Sequence, residues 1–306
     1  MNSMSRNDAD IARALQAGLG GGVRDDRILP EVRWTAVVVI VVLLTTVGVL
    51  YGFPERTGEL FAWKIDPPMS ALFLGAGYAG GLYFFVRVAL ASRWHTVANI
   101  FTPTTVFVWL MLAATLLHFD RFIKDSVAFN LWIVIYLITP IYVPFLWYRN
   151  RVTDPHVVEP GDIVVPRSVR VASGMLGVGA LVFAVILFAL PQFGSGALDI
   201  WPWKLTPLTA RVTAAAMSFP AVAWVMLGRE QRWSGWRVPL GVQLVALGMT
   251  LLAVPRAWDS FDGSRLATWV FVGVLLALVA ATLVLYVTME ARRRAAVVAP
   301  KQIVFR

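Results

Sequence analysis

The sequence predicts an all-α polytopic membrane protein with eight transmembrane helices, arranged as two parallel four-helix repeats. Its composition, its long apolar runs and its repeated motifs predict this fold class. Hydrophobic residues make up 58% of the 306 residues and charged residues only 15%, with a mean hydropathy of +0.69, whereas an average soluble domain is about 25% charged. Such a composition excludes a soluble globule and a disordered chain. The lack of cysteine excludes a disulfide-stapled one.

Eight apolar runs are long enough to cross a bilayer. A hydrocarbon core of roughly 30 Å takes about 20 apolar residues in helical form, and helices satisfy their own backbone hydrogen bonds. No run has the period-2 alternation of a membrane barrel. The predicted spans are 34–52, 71–90, 98–118, 129–148, 171–190, 207–227, 236–254 and 267–289.

The basic residues predict the orientation of these spans. Most of the 27 lysines and arginines lie in the two chain ends and the even-numbered connections. Basic residues are retained on the cytoplasmic side of membranes. We therefore expect a multi-pass protein of the cytoplasmic (inner) membrane of a bacterium, with both termini cytoplasmic. The first span should act as an uncleaved signal anchor.

Three motifs recur at an offset of about 139 residues. The segment Trp-Lys-Ile-Asp-Pro at 63–67 matches Trp-Lys-Leu-Thr-Pro at 203–207. The pair Arg-Trp at 93–94 matches 232–233, and an aromatic-Asp-x-Phe turn at 119–122 matches 258–261. Their common order predicts an internal duplication. In both copies the residue before proline, Asp66 or Thr206, is placed to cap a helix.

The duplication sets the predicted domain organisation. Each copy holds four spans, an even number, so both insert the same way up and are related by a pseudo-twofold axis along the membrane normal. The boundaries are a cytoplasmic tail 1–33, a first repeat 34–149, a linker 150–170, a second repeat 171–293 and a tail 294–306. In the first tail, Ile11, Leu15 and Leu19 have the spacing of a short surface helix, although a tail without structure is the alternative.

Stripes of small residues suggest how the repeats meet. Ala71, Gly75 and Ala79 recur every four residues in the second span, and alanine or serine occupies the matching positions 210, 214 and 218 of the sixth. Small residues let helix backbones approach closely in lipid. We expect the second span to pack on the sixth, or each stripe to pack within its own repeat.

The candidate ligand-binding residues lie on the extracytoplasmic side. An ion pair between Lys64 and Asp120 in one repeat would match one between Lys204 and Asp259 in the other. Together with two tryptophans these side chains would line an entrance for an amphipathic ligand; alternatively, the tryptophans belong to the interfacial aromatic belt. The tryptophans are Trp63 and Trp203.

Arg211 completes the candidate set as the one charge clearly inside a span. Intramembrane charges often mark functional sites. Since Arg211 lies about one turn into its helix, its side chain could instead reach the surface. Pairing with Asp199 or Asp259 and binding of an anion are the alternatives.

Several function classes lack their required residues. The sequence contains no HExxH motif, nucleophile elbow or phosphate-binding glycine loop, and no span carries a mid-depth carboxylate for ion coupling. Three histidines, with no cysteine, provide no haem or zinc site, although His95 and His156 could meet. We expect no cofactor and no metal. The net charge of +9 reflects membrane orientation and does not indicate nucleic-acid binding.

The chain resembles multi-pass bacterial membrane proteins of no assigned function. The resemblance rests on segment 63–71 and on the sequence His-Phe-Asp-Arg-Phe at 118–122. It implies a multi-pass membrane protein, but no activity and no site residues.

Three functions remain open on the sequence alone. The first is a non-catalytic protein that binds or moves an amphipathic or lipid-like molecule at the entrance between the repeats. The second is a structural or assembly subunit that docks onto another membrane protein. The third, an intramembrane enzyme, lacks a visible polar constellation. The expected partners are the bilayer, a hydrophobic or amphipathic small molecule and a membrane protein.

Overall fold

The structure is a computed structural model that describes residues 24–298. Within this range the chain is all-helical and contains no strand. Eight helices are long and apolar enough to cross a membrane, which confirms the predicted spans. The predicted surface helix at residues 11–19 lies outside the described residues. The helices are Pro30–Val47 (α1), Pro68–Leu90 (α2), Phe101–Leu117 (α3), Val127–Asn150 (α4), Arg167–Ala189 (α5), Pro207–Leu227 (α6), Trp233–Arg256 (α7) and Leu266–Val298 (α8).

Every long helix except α6 differs by some residues from its predicted bounds. Helix α1 begins before residue 34, and a π-helical turn, Gly48–Gly52, continues it to the predicted end of the first span. The largest difference is at α8, which continues nine residues past the predicted end at 289. Helix α6 begins as predicted, with Thr206 Oγ1 accepting a hydrogen bond from the backbone of Thr209.

The predicted cap at Asp66 is wrong. A cap at Asp66 would make Pro67 the first helical residue, but α2 begins at Pro68, with Pro67 as its N-cap residue and no capping side chain. Asp66 therefore lies outside the helix, where its carboxylate pairs with Lys64 at 2.8 Å.

Four inner helices are surrounded by four outer ones. Helix α2 packs on α1 and α7, and α3 packs on α4 and α6; α5 lies along α6, and α8 along α7. At most about a third of each of the outer helices α1, α4, α5 and α8 is buried, whereas α2 and α6 are more than half buried. Exposed apolar side chains around a bundle are what a lipid environment requires.

The expected α2–α6 seam is not the main contact of α2. A Cβ on Gly75 would lie 3.2 Å from the Leu50 side chain, at the end of α1, and one on Gly80 would lie 3.0 Å from the Val242 carbonyl of α7. The glycines thus admit α1 and α7 against the backbone of α2, and the contact with α6 is small. At Gly75 the stripe packs within its own predicted repeat.

The bundle has two faces, which we name by the ends of the chain. The terminal face is the one where α1 begins and α8 ends; the distal face is the opposite one. Because the helices alternate in direction, the connections α2–α3, α4–α5 and α6–α7 lie on the terminal face. The predicted ligand-binding residues all belong to the distal face.

Candidate functional site

The two predicted entrance tryptophans are buried in separate aromatic clusters. Trp63 is 2% exposed and Trp203 is 1% exposed. The ring of Trp63 lies 4.9 Å from that of Trp132, and the ring of Trp203 lies 5.2 Å from that of Phe271. Neither side chain lines an open entrance, since each is buried in a core cluster that includes residues from both halves of the sequence; Nε1 of Trp203, for example, donates to Ser70 Oγ at 2.9 Å.

The predicted ion pairs across the distal loops are not formed. Lys64 pairs with Asp66, and Asp120 pairs with its neighbour Arg121 at 3.1 Å. Within residues 24–298, no ion pair joins Lys204 to Asp259. All of these side chains are exposed, where water screens charge and short local contacts compete well with longer ones.

Arg211 pairs with a histidine instead of either predicted aspartate. Its guanidinium contacts Nε2 of His118 at 2.5 Å and lies over the ring of Phe188. Burial lowers the pKa of His118, and the charge of Arg211 lowers it further. A neutral imidazole can accept this hydrogen bond, so the contact joins α6 to the end of α3.

The distal face holds a cavity, but none of the predicted residues lines it. Its volume is about 220 Å³, and its wall includes Phe53, Glu55, Arg56, Leu72 and Arg256. Arg256 also donates to the carbonyls of residues 51 and 52 at the end of α1. This guanidinium therefore already has partners.

The terminal face brings together a row of four polar side chains, two of them buried and two partly exposed, that was not predicted from the sequence. Its first link is Asp26, in the segment before α1. The Asp26 carboxylate contacts Nδ1 of His95 and accepts the backbone N–H of His95 at 3.0 Å. His95 is 3% exposed and Asp26 is 4% exposed. Asp26 has a φ of 53°, a left-handed conformation that aspartate tolerates better than most residues.

Backbone contacts hold Asp26 in place. Its N–H donates to the carbonyl of Thr153 at 2.9 Å, and its carbonyl accepts from Trp94 at 2.7 Å. Nearby, the buried Asn150 side chain accepts from Leu29 and donates to the carbonyl of Arg27, both at 2.8 Å. The start of α1 is thereby tied to the end of α4 and to the α2–α3 connection.

The other two members of this row of polar side chains, Asp162 and Ser234, come from the α4–α5 linker and from α7. Asp162 accepts the Ser234 hydroxyl hydrogen at 2.5 Å and the Ser234 backbone N–H at 3.2 Å. The turn Glu159–Asp162 presents this carboxylate: its N–H at 162 bonds to the carbonyl at 159, and Gly161 has a φ of 90°. Proline followed by glycine is typical of such a type II turn.

The two halves meet where His95 contacts Ser234. Nε2 of His95 lies 2.9 Å from Ser234 Oγ. We call the resulting row, Asp26–His95–Ser234–Asp162, the polar chain. It links the segment before α1, the α2–α3 connection, the start of α7 and the α4–α5 linker.

The polar chain has the order of a serine-hydrolase triad without its hydrogen-bond direction. In such a triad the histidine accepts the serine hydrogen and acts as a base. A hydroxyl has a single hydrogen, and here Ser234 donates it to Asp162. His95 is therefore a donor to Ser234, and the geometry does not support nucleophilic catalysis.

A cavity of about 240 Å³ opens beside Ser234. Three arginines line it, Arg87 at the end of α2, Arg93 in the α2–α3 connection and Arg237 in α7. Arg93 pairs with Glu159, and Arg237 pairs with Glu290 at 2.6 Å. Among residues 24–298, no carboxylate lies within ion-pairing distance of Arg87. The remaining wall is small or apolar: Leu90, Ala91, Ser92, Thr96 and Val238.

A buried ionic cluster lies next to the polar chain in sequence. Arg232 binds Asp154 through two contacts of 2.7 and 3.1 Å and binds Glu230 at 2.9 Å. Burial alone would raise the pKa of both carboxyl groups, but the hydrogen bonds and charge of Arg232 outweigh it and hold each pKa below its usual value. Asn99 donates to Glu230. This cluster joins the end of α4 to the α6–α7 connection.

His95 and His156 do not meet as the sequence suggested. His95 lies between Asp26 and Ser234, whereas His156 is exposed and lies 3.5 Å from Asp154. Over the described range, no group of three histidine or acidic side chains could hold a metal ion.

One sequence signal could have revealed the polar chain. Asp26 precedes Pro30 by four residues, and Asp162 precedes Pro166 by four residues; each proline stands where a long helix begins. At the offset of 139, moreover, His95 corresponds to Ser234. The arginines of the cavity carried no such signal, because basic residues are common on this face.

Comparisons with known proteins identify no relative. No family model, no curated protein and no solved structure matches the chain.

Proposed function

We propose that the chain is a non-catalytic membrane protein that binds an anionic, lipid-like molecule in the terminal-face cavity. The cavity, lined by three arginines and by the exposed Leu90, is the observation that carries the proposal. The ligand class is the amphipathic one that the sequence predicted. The proposed binding site lies on the terminal face and not at the predicted distal entrance, since Trp63 and Trp203 are buried in the core.

The arginines favour a phosphate or carboxylate headgroup. A guanidinium presents several N–H donors in a planar fork that matches the oxygens of these anions. Arg93 and Arg237 already have carboxylate partners, which hold their side chains in place. Arg87 lines the cavity and has no carboxylate partner among residues 24–298, so its positive charge is available to a ligand.

The apolar part of the wall favours an amphipathic ligand over a free ion. Leu90 is 76% exposed at the end of α2 and forms part of the cavity wall. A volume of about 240 Å³ accepts a headgroup and a few carbons. Acyl chains would then extend along the exposed apolar sides of the bundle.

The orientation rule favours a cytoplasmic position for this cavity. The terminal face carries most of the basic residues, so we propose that both termini and the cavity are cytoplasmic, in the inner membrane of a bacterium. The cytoplasmic leaflet is also where anionic lipids attract basic clusters.

The proposal includes two parallel repeats related by a pseudo-twofold axis. Supporting it, the contacts occur in corresponding pairs: α1–α2 with α5–α6, α3–α4 with α7–α8, and α2–α7 with α6–α3. The backbone N–H of His95 bonds to Asp26, as that of Ser234 bonds to Asp162. The axis would pass between His95 and Ser234.

Retention of lipid by the purified protein tests the proposed site. Wild type and the Arg87→Glu variant are reconstituted in nanodiscs of phosphatidylcholine with a minor fraction of phosphatidic acid, and bound lipids are counted by native mass spectrometry. We expect wild type to retain phosphatidic acid selectively. The variant should bind it about tenfold or more weakly, because a charge-assisted hydrogen bond becomes a repulsion.

Two controls separate this site from its alternatives. Arg256→Glu, in the distal cavity, should leave retention unchanged. Lys64→Gln combined with Lys204→Gln tests the distal entrance that the sequence predicted, and loss of retention there would contradict the terminal-face site. Displacement of the lipid by inorganic phosphate at equal concentration would show that the headgroup alone is recognised.

A further inference from the structure

We infer that the polar chain is a proton-binding site whose occupancy is coupled to anion binding in the adjacent cavity. The proton site rests on the hydrogen-bond geometry alone. Its coupling to a ligand rests on the proposed function above.

The hydrogen-bond contacts of the polar chain determine which of its atoms carry hydrogens. The Ser234 hydroxyl gives its one hydrogen to Asp162, so Ser234 Oγ accepts from Nε2 of His95. Nδ1 of His95 faces a carboxylate oxygen of Asp26, which can only accept while it is ionised. Both ring nitrogens therefore carry hydrogens, and His95 is an imidazolium between two carboxylates.

The surroundings can hold this charge. The imidazolium is buried, and a buried charge needs a partner of opposite sign; Asp26 contacts it directly, and Asp162 reaches it through Ser234. The other charged groups are largely paired: Arg232 with Asp154 and Glu230, Arg93 with Glu159, and Arg237 with Glu290. Arg87 faces the cavity from α2.

Loss of the proton would change the cavity electrostatically. When His95 carries the proton, the polar chain holds one positive group, His95, between two negative groups, Asp26 and Asp162. When the proton is lost, the two carboxylates remain with no cation between them. Ser234 belongs to both the chain and the cavity wall. An anionic ligand should therefore bind better to the protonated form, and its binding should in turn favour proton uptake, because such coupling is reciprocal.

The ligand-binding experiment compares wild type with His95→Gln. Affinity for a water-soluble short-chain phosphatidic acid is measured in detergent at several values between about pH 5 and about pH 8. We expect wild-type affinity to rise at least about fivefold as pH falls. The variant should show a flatter profile, and calorimetry in buffers of different ionisation enthalpy should show proton uptake on binding only in wild type.

Ser234→Ala serves as a second variant that keeps His95 and Asp26 but removes the link to Asp162. Phosphatidic acid affinity should depend less on pH in this variant than in wild type. The coupling can therefore be tested even if the His95→Gln protein does not fold. Equal pH dependence and equal proton uptake in wild type and a folded His95→Gln protein would overturn the coupling.

Nuclear magnetic resonance of ¹⁵N-histidine-labelled protein tests the proton site without any ligand. The chain has three histidines, and the signal of His95 is assigned by its disappearance in His95→Gln. Hydrogens on both ring nitrogens at neutral pH are expected; a neutral tautomer would overturn the inference. Absence of lipid binding with a protonated His95 would refute the proposed function and leave the proton site standing.

Discussion

Single residues on the terminal face form buried ion pairs, whereas the ion pairs of the distal face are exposed. Arg232 holds two carboxylates, and each of the three side chains is at most 10% exposed. Removing one member of a buried ion pair leaves an uncompensated charge, which costs far more than losing an exposed pair. The distal pairs, such as Asp120 with Arg121, have both side chains 72% exposed.

Replacing Arg232 with alanine should therefore destabilise the protein by about 3–5 kcal/mol. Arg121→Ala, the matched exposed control, should cost about 1 kcal/mol or less. Denaturant unfolding of the detergent-solubilised variants, followed by tryptophan fluorescence, measures both. Similar losses for the two variants would refute the structural importance of the buried cluster.

At the scale of helices, close backbone approach determines which surfaces pair. A Cβ on Gly177 of α5 would lie 2.6 Å from the backbone nitrogen of Val225 and 2.8 Å from the carbonyl oxygen of Ala221, both in α6. On the same helix, Gly179 is exposed and a Cβ there meets nothing within 4 Å. Small residues at helix contacts are the usual means of association in lipid.

Gly177→Ala should consequently separate α5 from α6 and cost about 1–3 kcal/mol, the range for overpacking. Gly179→Ala adds the same methyl group on the lipid-facing side and should cause no loss of stability. Thermal unfolding of the two variants makes the comparison. A Gly177→Ala protein as stable as Gly179→Ala would contradict the observed α5–α6 contact.

For the whole molecule, the proposed orientation governs which compartment reaches each site. Lys64 and Lys204 are exposed on the distal face, and Val157, in the α4–α5 linker, is 54% exposed on the terminal face. The chain has no native cysteine. Each introduced thiol therefore reports a single position. A membrane-protein partner stays a prediction, since the exposed apolar sides of the outer helices suit lipid equally well.

In intact cells, a membrane-impermeant thiol reagent should label Lys64→Cys and Lys204→Cys but should reach Val157→Cys only after permeabilisation. The excess of basic residues on the terminal face is the physical reason. Labelling is read out on gels with a fluorescent maleimide. Modification of Lys64→Cys and Lys204→Cys from opposite sides would refute the parallel-repeat arrangement.

The number and place of the helices could be predicted from the sequence, because each depends on a local property. A run of about 20 apolar residues must be helical in lipid whatever its neighbours are, and Thr206 caps α6 through a residue three positions away. The repeated motifs likewise need only the order of residues along the chain.

The tertiary structure alone decided which helices pair and which polar groups meet. Lys64 pairs with Asp66, two residues away, instead of with the predicted Asp120, because an exposed charge pairs most easily with a neighbouring residue of opposite charge. Asp26, His95, Asp162 and Ser234 are distant in sequence. Their contacts exist only once the segment before α1, the α2–α3 connection, the α4–α5 linker and the start of α7 have packed together. Burial then makes each partner necessary, since an unpaired polar group away from water costs free energy, and no pattern along the chain records that requirement.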